Sequence, residues 1–249
     1  MVYRMRDLLG LTVTNDDGTV GNIENIHFDD HRWVARYMVV KTGEWLMGRK
    51  VLISPISVSH INWRARTMQI TLSQHQIDEC PQTNTDVPAS RLQEIVLSEH
   101  YGYPDYFTGG LQWGTTPNPE LAGDRPTPNA SAVTSYKPKV AHLRSLMSVI
   151  GYDMQANDEG IGPLEDFLVD KRSWEMLYAV VDTSDGWPGK KVVIPPMWID
   201  HLDGRERKGY FDVARNKVAF APDYDPRIAL TRGYEAALYE HYARPGLWT

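Results

Sequence analysis

Shifted by 141 positions, the chain falls on itself. Gly10 meets Gly151, Gly21 meets Gly162, Asp29 meets Asp170 and Trp33 meets Trp174. The match runs without a gap through Tyr37/Tyr178, Val39-Val40/Val180-Val181, Thr42/Thr183, Lys50-Val51/Lys191-Val192, Ile53/Ile194 and Pro55/Pro196. It closes on Glu99-His100-Tyr101 against Glu240-His241-Tyr242, with Pro104 on Pro245. From Gly10 to Pro104, 26 of 95 aligned positions are identical, where ordinary composition gives roughly 6% by chance. Such a repeat sets the architecture before any local propensity is weighed. The two copies span 1–107 and 141–249. The stretch between them, 108–140, holds Gly109-Gly110, Gly114, Pro117, Pro119, Pro126, Pro128 and Pro138. That composition reads as an extended connector, with Leu111 and Trp113 pinning it to a face of the fold.

Inside each copy, short β-branched and aromatic runs alternate with turn residues. Thr12-Val13 leads into Asn15-Asp16-Asp17-Gly18, a hairpin signal. Strands are expected from Gly21 through Phe28, from Trp33 to Val40, over Lys50–Ile53 and over Thr67–Leu72, with Pro55 ending the third. The second copy repeats the rhythm at Leu164–Val169, Trp174–Val181, Lys191–Ile194 and Tyr210–Val213. On this reading Trp33 and Tyr37, like Trp174 and Tyr178, share one face of a central strand. The tail changes period. Ser90 with Gln93 forms a capping box, Leu97 and Tyr101 share a helix face, and Pro104 stops the helix, with Thr231, Leu238, Tyr242 and Pro245 matching. The fold class expected is all-β: two small β-barrels related by internal duplication, each followed by a short amphipathic α-helix.

These residues carry a likeness. Leu8-Leu9-Gly10, Asp17-Gly18-Thr19-Val20-Gly21, Phe28-Asp29, Trp33 to Val40 and Val51-Leu52-Ile53 before Pro55 resemble the PRC-barrel family. So do Val149-Ile150-Gly151, Gly160-Ile161-Gly162, Val169-Asp170, Trp174 to Val181 and Val192-Val193-Ile194-Pro195. The resemblance covers about 75 residues of each copy and lies mostly in structural positions. It implies PRC-type barrels of the kind found in the cytoplasmic H-subunit domain of photosynthetic reaction centres and in the C-terminal domain of a ribosome maturation factor. There the barrel is an interaction platform rather than a catalyst. The chain is expected to depart from the former in lacking its N-terminal membrane helix and in carrying two barrels, and from the latter in lacking its separate N-terminal domain.

Charge narrows the partners. Lys plus Arg number 26 against 32 Asp plus Glu, a net charge of −6, which argues against a general nucleic-acid binder. The lone Cys80 allows neither an internal disulfide nor a thiolate metal site, and Glu79 beside it is expected to raise the thiol pKa. No apolar run reaches the length of a membrane span and the start lacks a signal-peptide core, so a soluble cytoplasmic protein is expected. Gly-x-Ser-x-Gly, phosphate-loop and dinucleotide patterns are absent, so no enzyme, no catalytic residue and no cofactor is expected. The function expected is protein interaction or assembly, with peripheral association to a membrane complex as one setting and homo-oligomerisation as another. Trp187, within Asp185-Gly186-Trp187-Pro188-Gly189, leads the candidate contact residues, followed by Trp45, Trp198 and Trp113. The alternative is a small-ligand or metal site in the inter-barrel cleft, using the duplicated His60/His201 and His100/His241. Arg205-Glu206-Arg207-Lys208 reads first as a solvated turn.

Overall fold

The computed structural model of the protein describes residues 2–82, 84–104, 106, 110–122, 143–183 and 190–245. It is mostly β, with two seven-stranded sheets and short helices. The elements of the first repeat and connector are β1 (Val2–Arg4), α1 (Met5–Leu8), β2 (Thr12–Asn15), β3 (Gly18–Asp29), β4 (Val34–Thr42), β5 (Lys50–Ile53), β6 (Val58–Asn62), β7 (Thr67–Ile70), α2 (Gln74–Asp78), α3 (Arg91–Tyr101) and α4 (Pro119–Ala122). The second repeat supplies β8 (Leu143–Ser145), α5 (Leu146–Val149), β9 (Asp153–Gln155), β10 (Gly160–Asp170), β11 (Met176–Asp182), β12 (Lys191–Ile194), β13 (Ile199–Asp203), β14 (Lys208–Phe211), α6 (Arg215–Ala219) and α7 (Arg232–Tyr242).

Each sheet has the same order, β5-β4-β3-β2-β7-β6 in one and β12-β11-β10-β9-β14-β13 in the other. The seventh strand comes from the other repeat. β1 pairs antiparallel with β10 through Val2↔Asp170, Tyr3↔Val169 and Arg4↔Leu168. β8 pairs with β3 through Leu143↔Asp29, Arg144↔Phe28 and Ser145↔His27. Every one of these positions differs from its counterpart by the same 141 residues. The chain accordingly divides into a first unit, Asp7–Met147 with Arg172–Glu175, and a second unit, Met1–Arg6 with Ser148–Lys171 and Met176–Thr249. A boundary at the connector alone, as the sequence suggests, therefore misses the exchange of the opening strands.

A matching pair of side chains receives each arriving strand. Asn25 Oδ1 accepts the N–H of Ile26 at 2.8 Å and that of Met147 at 3.2 Å. Asp166 Oδ1 accepts the N–H of Phe167 at 2.8 Å and that of Arg6 at 3.1 Å. Both acceptors sit beside β-bulges, where the register slips between Ile23 and Asn25 and between Leu164 and Asp166. A bulge frees a backbone N–H from the ladder and re-aims the neighbouring side chain, which here supplies the missing acceptor. Asn25 Nδ2 also donates to Ser145 Oγ at 2.7 Å, while Asp166 faces Arg4 Nε at 3.1 Å. Burial pushes the Asp166 carboxyl up to about 6 against the pull of its backbone donors and Arg4.

The backbone repeats its unusual conformations too. Positive φ recurs at Gly10/Gly151, Trp33/Trp174, Arg66/Arg207 and Gly102/Ala243. At Gly21 and Gly162 a Cβ would lie 2.0 Å from the carbonyl oxygen of Lys41 and of Asp182, so only glycine lets the neighbouring strand approach. Gly21 lies inside β3 rather than opening it, because the hairpin turns at Asp16-Asp17 and the strand resumes at once. Trp33 and Trp174 are not strand residues. Each ends a turn in the left-handed region, so the expected common face with Tyr37 and Tyr178 does not form by strand alternation. Second bulges, opposite His27/Phe28 and Leu168/Val169, further break that alternation at Arg36 and Leu177.

The capping box at Ser90 and Gln93 starts α3, and Leu97 and Tyr101 are buried, as the periodicity predicts. Thr231 caps α7, with Leu238, Tyr239 and Tyr242 buried. Among the described residues no ladder joins β5 to β6 or β12 to β13, so each strand path has two ends. No described helix is long and apolar enough to cross a membrane.

The strand-receiving role needs an acceptor rather than a charge, since Asn25 performs it without one. Asp166→Asn should leave stability at pH 7.5 within about 1 kcal/mol of wild type, whereas Asp166→Leu should cost roughly 2–3 kcal/mol. Denaturant midpoints of the two variants check this.

Candidate functional site

The first unit holds a buried polar cluster above β3 and β4. Arg36, only 1% exposed, lays its guanidinium on the Tyr106 ring at 3.8 Å and beside the Trp113 ring at 4.9 Å. Its Nη1 donates to Gln112 O at 2.6 Å and its Nη2 stands 3.7 Å from Asp29. Arg32 Nη1 donates to Leu111 O at 2.7 Å and Tyr106 O at 3.2 Å. Trp113 is buried, and its indole N–H donates to Ser173 O at 2.7 Å. Two arginines and one indole thus strap the start of the connector onto the sheet; Trp113 is buried in that strap rather than presented as a contact residue, while Leu111, expected to pin alongside it, is exposed. Burial lowers the Arg36 pKa, offset by Tyr106 and Asp29.

Glu94 of α3 completes the cluster. It is fully buried, accepts from Tyr106 Oη, and faces Arg91 Nη1 at 2.9 Å. Burial pushes its carboxyl up to about 7 against the opposing pull of Arg91 and Tyr106. The matching Glu235 is half-buried and accepts from Tyr178 Oη at 3.1 Å. Glu94 was missed in the sequence, although its spacing to Leu97 and Tyr101 places it on the buried stripe of α3. His27 of β3 is fully buried, and among the described residues neither ring nitrogen has a hydrogen-bond partner. Desolvation lowers its pKa to about 4. The second repeat has Leu168 there.

The duplicated histidines divide into two kinds. His100 Nε2 donates to Gln76 O at 2.7 Å, and His241 Nε2 donates to Lys217 O at 2.6 Å. These rings tie α3 and α7 to α2 and α6, and a nitrogen bearing that proton has no lone pair for a metal. His60 is exposed on β6. His201 on β13 stacks on Tyr210 at 4.5 Å and bonds Asp200 through Nδ1 at 2.7 Å. Among the described residues no group of three or more His, Cys, Asp or Glu could hold a metal ion. Trp198, expected as an exposed contact, is instead buried edge-on against Tyr239 and Tyr242 beneath Arg244. Trp45 is half-buried and donates to Val20 O at 3.1 Å. Trp187 lies outside the described residues. Burial, rather than Glu79, raises the Cys80 thiol. The turn at Arg205–Lys208 is largely exposed, with Asp203 accepting the N–H groups of Arg205 and Glu206.

An open concavity lies in the second unit. A groove of about 550 Å³ runs between the β9–β10 hairpin and β13–β14, lined by Asn157, Asp158, Glu159, Asp200, His201, Tyr210 and Asp212. The side chains of Asp200, Asp212 and Glu159 are 76%, 70% and 62% exposed. Asp158 accepts the Arg215 N–H at 2.8 Å, as Asp17 accepts that of Gln74 in the first repeat. The other three acids have no counterpart: the matching residues are Gly18, Ser59 and Thr71. The rim therefore distinguishes one repeat from the other. Arg215 and Arg244 balance Glu159 and Asp212 in part.

No protein-family model and no curated protein matches the chain.

Two variants test the buried groups. The folded state holds a Glu94 proton that the unfolded chain releases, so this residue lowers stability as pH rises from about 4.5 to 7. Glu94→Gln should flatten that slope, with its melting temperature gaining on wild type between pH 5 and 8. His27 has the opposite sign: its penalty grows as pH falls from about 6.5 towards 4. His27→Leu should raise stability by on the order of 1 kcal/mol at neutral pH and by more at pH 5. Thermal melts across that range read both.

Proposed function

We propose that the chain is a pair of duplicated PRC-type barrels serving as a non-catalytic cytoplasmic interaction module, which docks a basic segment of a protein partner in the second-unit groove. The observation that carries this reading is the acidic rim on an otherwise repeated framework. Residues that hold the fold recur 141 positions apart, whereas Glu159, Asp200 and Asp212 project into solvent on one copy only. Exposed carboxylates around a concavity favour a cationic ligand and repel phosphate backbones. The strongly shifted carboxyls, Glu94 and Asp166, support the same view, because both are sealed inside their units rather than presented to the groove. Peripheral attachment to a membrane complex is one setting for such a module.

The histidine-based ligand or metal reading has less support, since among the described residues no group of three or more His, Cys, Asp or Glu is placed to hold a metal ion.

A tagged pull-down from the native cell tests the proposal. A stoichiometric protein should be retained by wild type, elute with increasing salt, and fall at least tenfold with Asp200→Lys/Asp212→Lys. Unchanged melting curves of the variant serve as the folding control. Equal capture by the charge-reversed chain, or no stoichiometric partner from soluble and membrane fractions, overturns it.

A further inference from the structure

We propose that a second copy of this chain is a fitting partner through strand exchange, β1 of one copy completing the β10 edge of the other and β8 completing the β3 edge. Within one chain, each unit already takes its last strand from the other repeat. β1 is separated in sequence from the rest of the unit it completes, which resumes at Ser148, whereas β8 ends the continuous stretch Asp7–Met147 and is tied to β3 only through the residues between them. A second copy therefore offers the same strand in the same register.

The acceptor edges are specific. On β10 the incoming segment is received by three ladder positions, by the Asp166 carboxylate accepting the Arg6 N–H, and by Arg4 facing Asp166 at 3.1 Å and Glu165 at 3.7 Å. On β3 it is received by three ladder positions, by Asn25 accepting the Met147 N–H, and by Arg144 on Asp30 at 2.6 Å. An unfilled edge of either strand exposes unpaired N–H and C=O groups, which favours any copy able to fill it. An unrelated extended peptide could supply the ladder but not the paired arginine. Exchange between copies keeps all these contacts and changes only which chain carries the donor, the condition under which swapping costs least. The balance then depends on protein concentration against the effective concentration of the linked repeats, which for tethered modules is of millimolar order.

The test uses the full chain. Cys80→Ala, which installs the residue found at the matching Ala221, removes the native thiol. Val2→Cys and Asp170→Cys place thiols at half-buried register partners. The protein is unfolded in denaturant and refolded at about 5 μM, far below the millimolar range, and at about 500 μM, which approaches it. The dimer fraction, measured by light scattering, should rise at least fivefold at the higher concentration. Oxidation should then convert dimers to covalently linked pairs and leave monomers closed on themselves. Dimers whose disulfides stay within each chain, or no dimer at the higher concentration, overturn the proposal. Wild type guards against a misfolded variant. Isotope-labelled and unlabelled chains refolded together at high concentration should give mixed-mass dimers, whereas separately prepared dimers should remain unmixed for hours. Rapid mixing of preformed dimers, or no dimers from wild type, points away from exchange and overturns it equally.

Discussion

The arrival of a strand at a bulge is the event on which both sheets depend. A long strand such as β3 or β10 runs past its hairpin partner and presents an edge that its own repeat does not fill. Asn25 and Asp166 terminate that edge by accepting one N–H from their own strand and one from the newcomer. Chemistry on the two sides differs, an amide in one and a carboxylate with arginine in the other, yet the acceptor geometry is conserved across the offset. This is how a repeat diverges without losing its frame: the atom position is retained while the group carrying it changes.

Divergence elsewhere is concentrated rather than diffuse. The first repeat has accumulated charge inside, where Arg36, Glu94, Arg91 and Asp29 share a compartment roofed by Tyr106 and Trp113. The second has accumulated charge outside, along the groove rim. Buried ion pairs are weak stabilisers because desolvation consumes most of the attraction. Their effect in the first unit is to fix where the connector starts, since the guanidinium of Arg36 fits only a segment that brings both aromatic rings and the Gln112 carbonyl. The corresponding Leu177 makes no such demand.

Much of the framework was legible in the sequence. The offset, the hairpin at Asn15–Gly18, the strand at Lys50–Ile53, the capping box at Ser90 and the buried stripe of α3 all follow from local chemistry and recur as expected. The exchanged strands were not, because Val2–Arg4 and Leu143–Ser145 are too short to carry a period of their own and their partners are distant in sequence. Positions such as Trp33 misled for a related reason. Aromatic character suggests a strand, while the left-handed backbone that ends the turn is dictated by the Asp29 side chain accepting the N–H groups of His31 and Arg32. For the candidate site, the acids of the groove could be found only by comparing the two copies and asking where they disagree. His201 was singled out for being shared, yet its neighbours Asp200 and Tyr210 are what set its surroundings apart from those of His60.

The crossed strands also impose an order on folding during synthesis. β3 leaves the ribosome long before Leu143–Ser145 exist, and Val2–Arg4 emerge well before the β10 strand they pair with has been made. At about 5–20 residues per second, the first repeat therefore spends on the order of 6–24 seconds with an unfilled edge, its neighbour on the polysome in the same condition. A pause or a bound chaperone in that window would act on a nearly finished body awaiting three residues, so under the strand exchange proposed above the speed of translation would help decide which chain closes which sheet.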